Sequence, residues 1–110
     1  MLKGITVPII FPKSHEPQTL PKLDPNTTRI IPIGGLRTVG ANMTMIEHGN
    51  EILLVDGGLE FARGGESPGF DYILPDIRFL LGETKRIKGM LVTHGHLDHI
   101  GALKNIIPAL

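Results

Sequence analysis

The chain has 110 residues, enough for one small domain with a modest core. Eleven basic and eleven acidic side chains cancel, so there is no global charge to draw the molecule toward nucleic acid. The absence of cysteine excludes disulfides, thiolate nucleophiles and cysteine-based metal sites, so any metal must be held by His, Asp or Glu.

Residues 1–27 read as a proline-rich N-terminal arm. Five of the nine prolines fall there, at Pro8, Pro12, Pro17, Pro21 and Pro25. Each fixes φ and removes a backbone donor, so an extended arm is expected, with a docked edge segment through Val7 to Phe11 as the alternative. The apolar run from Ile5 to Phe11 is short and broken by Pro8, which does not suit a targeting segment. No apolar stretch approaches the roughly 20 residues of a membrane helix, so a cytoplasmic protein with no membrane partner is expected.

Residues 28–110 read as α/β. Thr28 to Ile33 predicts a strand that ends in Gly34-Gly35, a plain turn rather than a phosphate loop. Asn42 to Glu47 alternates, with Met43 and Met45 apolar. His48-Gly49-Asn50 signals a turn, and Glu51 to Asp56 a second strand, so the two form a hairpin closed off by Gly57-Gly58. Residues 57–75 form a long loop with Gly64-Gly65, Pro68-Gly69 and Pro75, and loops of this length in a compact domain are usually functional or mobile. Asp76 to Leu81 predicts a short helix capped by Asp76 and stopped by Gly82. Lys85, Arg86 and Lys88 read as a solvated basic face. Ile87 to Thr93 is the next strand. Ile100, Leu103, Ile106 and Ile107 fall at helical spacing until Pro108.

Thr93-His94-Gly95-His96-Leu97-Asp98-His99 carries the chemistry. His94 and His96 are two apart in an extended segment, so both imidazoles are expected on one side. Gly95 relaxes the backbone where it leaves the strand. Asp98 and His99 enter the first helical turn in a different direction, so they suit a second metal a short distance away. Imidazole and carboxylate donors fit zinc, manganese or iron. A lone histidine is usually structural, and His15 and His48 are assigned no function, but three histidines and an aspartate so close together rarely arise by chance. Asp56 ends an apolar strand. It can be a turn-forming aspartate or an acceptor that orients a ligand histidine, and spacing alone leaves both open.

The His-rich segment after an apolar strand resembles the signature of the metallo-β-lactamase superfamily. The likeness extends through Ile33-Gly34-Gly35-Leu36, Val39 to Thr44, Val55-Asp56-Gly57-Gly58, Asp71 to Asp76 and Thr93 to Leu103. Those segments resemble the opening of the ribonuclease J family, in the beta-CASP branch. The resemblance implies an αββα sandwich of which residues 28–110 are the N-terminal portion. It implies two zinc ions, with manganese as the alternative. His94 and His96 would bind the first, Asp98 and His99 the second, with Asp56 supporting the ligands. Asp98 would also act catalytically, orienting the nucleophilic water or accepting its proton. RNA would be the substrate, its phosphodiester hydrolysed by a dinuclear-metal hydroxide, and the complete protein would be a homo-oligomer. The family needs a further histidine and a bridging aspartate from later in the chain, and it inserts a beta-CASP domain. The chain is therefore expected to be an incomplete, inactive fragment. Thr38 stands where the family usually has glutamate. Other readings are a hydrolase of small esters or lactams on the same fold, and a non-catalytic metal-binding module.

Overall fold

The computed structural model describes residues 19–62 and 69–110. Most of the expected arm, with His15 and the Val7 to Phe11 segment, lies outside the described residues, as do Gly64-Gly65 and Pro68 of the long loop. The described part of the arm, residues 19–27, has no helix or strand.

In chain order the strands are β1 (Thr28–Gly34), β2 (Met43–His48), β3 (Glu51–Val55), β4 (Glu60–Phe61), β5 (Tyr72–Ile73) and β6 (Ile87–Leu91). Two short helices follow, α1 (Leu97–Ile100) and α2 (Leu103–Ile106). The main sheet has the order β1-β2-β3-β6, and β4 and β5 form a small ribbon. β2 and β3 make the expected antiparallel hairpin, with His48 opposite Glu51. Gly49 turns the chain at φ 55, a left-handed conformation that costs glycine little. β6 then runs parallel to β3, so both strands deliver their C-terminal ends to the same edge of the molecule.

Alternation decides which face is buried. Met43, Met45 and Glu47 of β2, and Ile52 and Leu54 of β3, point to one side and are buried. Ile77, Leu80, Ala102 and Ile106 complete the cluster, so the helical segments cover this face. Each buried Met, Ile or Leu side chain of this cluster stabilises the fold by about 1.5–3 kcal/mol. The opposite face is less covered, with Ile30 and Leu91 exposed.

Glu47 is buried yet charged. Arg29 donates from Nε at 2.9 Å and from Nη2 at 2.6 Å to Oε2, and Arg86 pairs with Oε1. Burial works to raise the pKa of Glu47, but its bonds with Arg86 and Arg29 outweigh that and hold it below the usual glutamate range. Arg86, read from sequence as part of a solvated basic face, is therefore an internal counterion.

Two helical expectations differ. Over Asp76 to Leu81 there is only a 3-10 turn, Arg78–Leu80, with Ile77 at its N-cap and no side-chain cap bond. Asp76 instead accepts the Arg78 N–H at 3.1 Å and Nε at 2.8 Å. The expected helix through Ile107 is broken into α1, α2 and a 3-10 turn, Ile107–Ala109. The break follows from competition for main-chain partners. Asp98 C=O accepts the Asn42 N–H at 3.0 Å, and His99 C=O accepts the Gly57 N–H at 2.7 Å. Ala102 N–H donates to Gly57 C=O at 2.9 Å, not back along the helix. No helix among the described residues is long and apolar enough to cross a membrane.

Candidate metal centre

The centre is built where β3 and β6 end. Asp56 follows β3 and takes φ 61, and its N–H donates to Leu91 C=O at 2.8 Å. β6 stops at Leu91, two residues before the sequence pattern does, because Thr93 turns its N–H to Asp56 Oδ1 at 2.8 Å instead of extending the ladder. The Thr93 hydroxyl reaches Asp56 Oδ2 at 2.8 Å. His94, Gly95 and His96 thus lie in a loop between β6 and α1, with His96 at the N-cap of α1.

Main-chain bonds fix α1 against its surroundings. Leu59 N–H donates to Leu97 C=O at 3.0 Å, beside the Asn42 and Gly57 bonds already described. Gly58 permits this approach, since a Cβ there would lie 1.6 Å from Asp98 O. The Asn42 side chain adds a bond from Nδ2 to the same carbonyl at 3.0 Å, and Nδ2 lies 3.4 Å from both Asp98 Oδ2 and His99 Nε2.

This frame brings the expected residues together. His94, His96 and Asp98 each place one donor atom within 4.8 Å of the others. Donors around one zinc at bond lengths of about 2.1 Å sit roughly 3.4 Å apart, a spacing close to that of these three atoms. The donor set, imidazole with carboxylate, suits a divalent metal. The His94 ring lies 4.6 Å from that of His96 and 4.1 Å from that of His99, centroid to centroid. His99 is outside the group of three. Its Nδ1 is 2.7 Å from Asp56 Oδ2 and its Nε2 is 3.4 Å from Asp98 Oδ2. The geometry therefore groups Asp98 with His94 and His96 as well as with His99.

Asp56 is the buried base of the site, 5% exposed. Burial works to raise its pKa, but hydrogen bonds from His99 and Thr93 outweigh this and hold the carboxyl below the usual aspartate range. The sequence alone left Asp56 between a turn former and an orienting acceptor. Its backbone takes φ 61 after β3, and its carboxylate accepts from His99 Nδ1 at 2.7 Å. Two contributors carried no role in the sequence reading. Thr93 signals itself only as a hydroxyl residue directly before the first histidine. Asn42 gives no local signal, because the bonds that matter reach residues 56 positions away.

A sequence model described as the Metallo-beta-lactamase superfamily matches residues 36–110. Ribonuclease J of Corynebacterium glutamicum is 45% identical over 96 residues, covering 82% of this chain and 13% of the relative. Ribonuclease J of Synechocystis is 45% identical over 75 residues, 68% of this chain and 12% of the relative. Ribonuclease J of Thermus thermophilus is 41% identical over 81 residues, 74% of this chain and 14% of the relative. The chain thus spans well under a fifth of the length of these relatives.

Proposed function

The chain belongs to the metallo-β-lactamase superfamily, and from that premise we propose that it carries the metal-holding part of an RNA-cleaving phosphodiesterase of the ribonuclease J type. The superfamily implies divalent metal binding. The observation that carries the proposal is the convergence of His94, His96 and Asp98 on one point, with His99 against them and tied to the buried Asp56. The similarity to ribonuclease J proteins supports RNA as the substrate. Residues 28–110 are then the opening of the catalytic domain and residues 1–27 an arm before it. Further ligands, the RNA-gripping surface and the contacts of a homo-oligomer belong to sequence beyond this chain, in a cytoplasmic protein.

His94 and His96 would hold one ion, and Asp98 with His99 a second, zinc being the first choice and manganese the alternative. Bound there, the metal supplies Lewis acidity, which lowers the pKa of water and offsets charge on a phosphate. The chain's residues do the rest. Asp56 anchors the His99 ring through Nδ1. Asp98, half-buried and held by Asn42, offers a carboxylate oxygen to orient the attacking water and take its proton.

The test is the product of the gene read to full length, loaded with zinc or manganese and offered single-stranded RNA and a chromogenic lactam or thioester. RNA degradation lost on His96→Ala and on Asp98→Ala is the expected result. Efficient turnover of the small substrate without RNA cleavage would reject the ribonuclease assignment.

A further inference from the structure

The Thr93 side chain is placed between groups of different kinds. Its Oγ1 lies 2.8 Å from Asp56 Oδ2, 3.1 Å from His94 Nδ1 and 3.4 Å from His99 Nδ1. A hydroxyl has one hydrogen to give and lone pairs to receive. A carboxylate can only accept at neutral pH, so the Thr93 hydrogen goes to Asp56. Toward His94 the hydroxyl oxygen can then only accept, which requires the His94 proton to be on Nδ1. His99 is held in the same state more directly, since its Nδ1 is 2.7 Å from the same Asp56 oxygen and must donate to it. In the neutral state both rings are thereby left with an unprotonated Nε2, a lone pair that a metal can take.

We propose that Thr93 is a positioning residue that passes hydrogen-bond direction from Asp56 to His94, so that one buried carboxylate sets the metal-binding nitrogen of two histidines. The inference rests on the metal-centre reading for its purpose, though not for its geometry. It explains why an exposed histidine in a loop can be ready for metal. A free imidazole in water favours the proton on Nε2, the wrong atom to protonate here, and the hydroxyl reverses that preference. Fixing the tautomer of a ligand histidine through its second nitrogen is the kind of support whose loss weakens metal binding about 10–100-fold. His96 has no such partner among its hydrogen bonds in the described residues, so the effect should be confined to His94.

The experiment uses the 110-residue chain in three forms: wild type, Thr93→Ser and Thr93→Val. Valine has the shape of threonine without the hydroxyl, and the N–H of residue 93 that donates to Asp56 Oδ1 belongs to the main chain, so both variants keep that bond. Long-range nitrogen–proton NMR of the metal-free chain, at a pH where the rings are neutral, reads the tautomer of each histidine. Titration with Zn²⁺ reads affinity. Wild type and Thr93→Ser should show His94 protonated on Nδ1. Thr93→Val should move that proton to Nε2, leave His99 unchanged, and lose about 10–100-fold in Zn²⁺ affinity. Wild-type His94 protonated mainly on Nε2 would overturn the inference, as would a Thr93→Val chain with unchanged tautomer and affinity. If Thr93→Val does not fold, the wild-type tautomer decides alone. Wild type with His94 protonated on Nδ1 but no uptake of Zn²⁺ would support the relay and overturn the metal centre it was taken to serve.

Discussion

Asp56 combines a left-handed backbone, φ 61, with a carboxylate that accepts three hydrogen bonds. Asparagine tolerates that backbone nearly as well as aspartate but has only one acceptor oxygen. Asp56→Asn should therefore stay folded and bind Zn²⁺ about 10–100-fold more weakly, by calorimetric titration. An unchanged affinity would mean that Asp56 serves the turn alone. Glu47 makes a different claim, on stability. Removing one partner of a buried ion pair costs about 3–5 kcal/mol, and Glu47→Gln should lose an amount of that order in urea unfolding. Because the folded pKa of Glu47 is lowered, its contribution is complete above the usual carboxylate range and fades as pH falls through and below it. The urea midpoint should drop on acidification in wild type and drop less in Glu47→Gln; parallel profiles would remove Glu47 from the account. The phase of this residue was legible, since it sits in step with Met43 and Met45. Its burial was not, because both arginines reach it from other elements.

At the scale of elements, the helix that bears Asp98 and His99 is held by other segments' backbones. Gly58→Ala would drive a Cβ to 1.6 Å from Asp98 O. That contact is with main chain, so α1 must move, and a loss of about 1–3 kcal/mol is expected. Zn²⁺ affinity should fall with it, because α1 carries the proposed ligands Asp98 and His99. Gly95 is the control. Nothing lies within 4 Å of a Cβ there and its φ is not left-handed, so Gly95→Ala should change stability by less than about 0.5 kcal/mol. Equal losses at both glycines would show that loop freedom, not close approach, shapes the centre. The hairpin of β2 and β3 was legible because its signals are local: alternation, a Gly turn and an apolar run. The broken helix was not. Ile100, Leu103 and Ile106 keep their period, but Asn42 and Gly57 take the carbonyls that a continuous helix would use. β6 ended early for a related reason, as Thr93 left the ladder for a side chain of β3's continuation.

For the whole molecule, β6 is an edge of the main sheet among the described residues, and Leu91, Val92 and Leu97 near its end are 55%, 50% and 53% exposed. An unpaired apolar strand edge invites pairing with another chain. The 110-residue chain should self-associate with rising concentration in sedimentation velocity, and Leu91→Lys should reduce this. The proposed ligands lie together at 94–99, but the frame that holds them joins residues far apart in sequence, with Asn42 bonded to Asp98 across 56 positions. Such contacts close late in folding, since chain entropy must be lost before they form. The frame that orients the proposed ligands, Asn42 and Asp56 against α1, is thus completed only on the native side of the transition state. A bound ion should therefore leave the folding limb of a chevron plot in place and lower only the unfolding limb, acting on how long the native state lasts and not on how quickly it is reached.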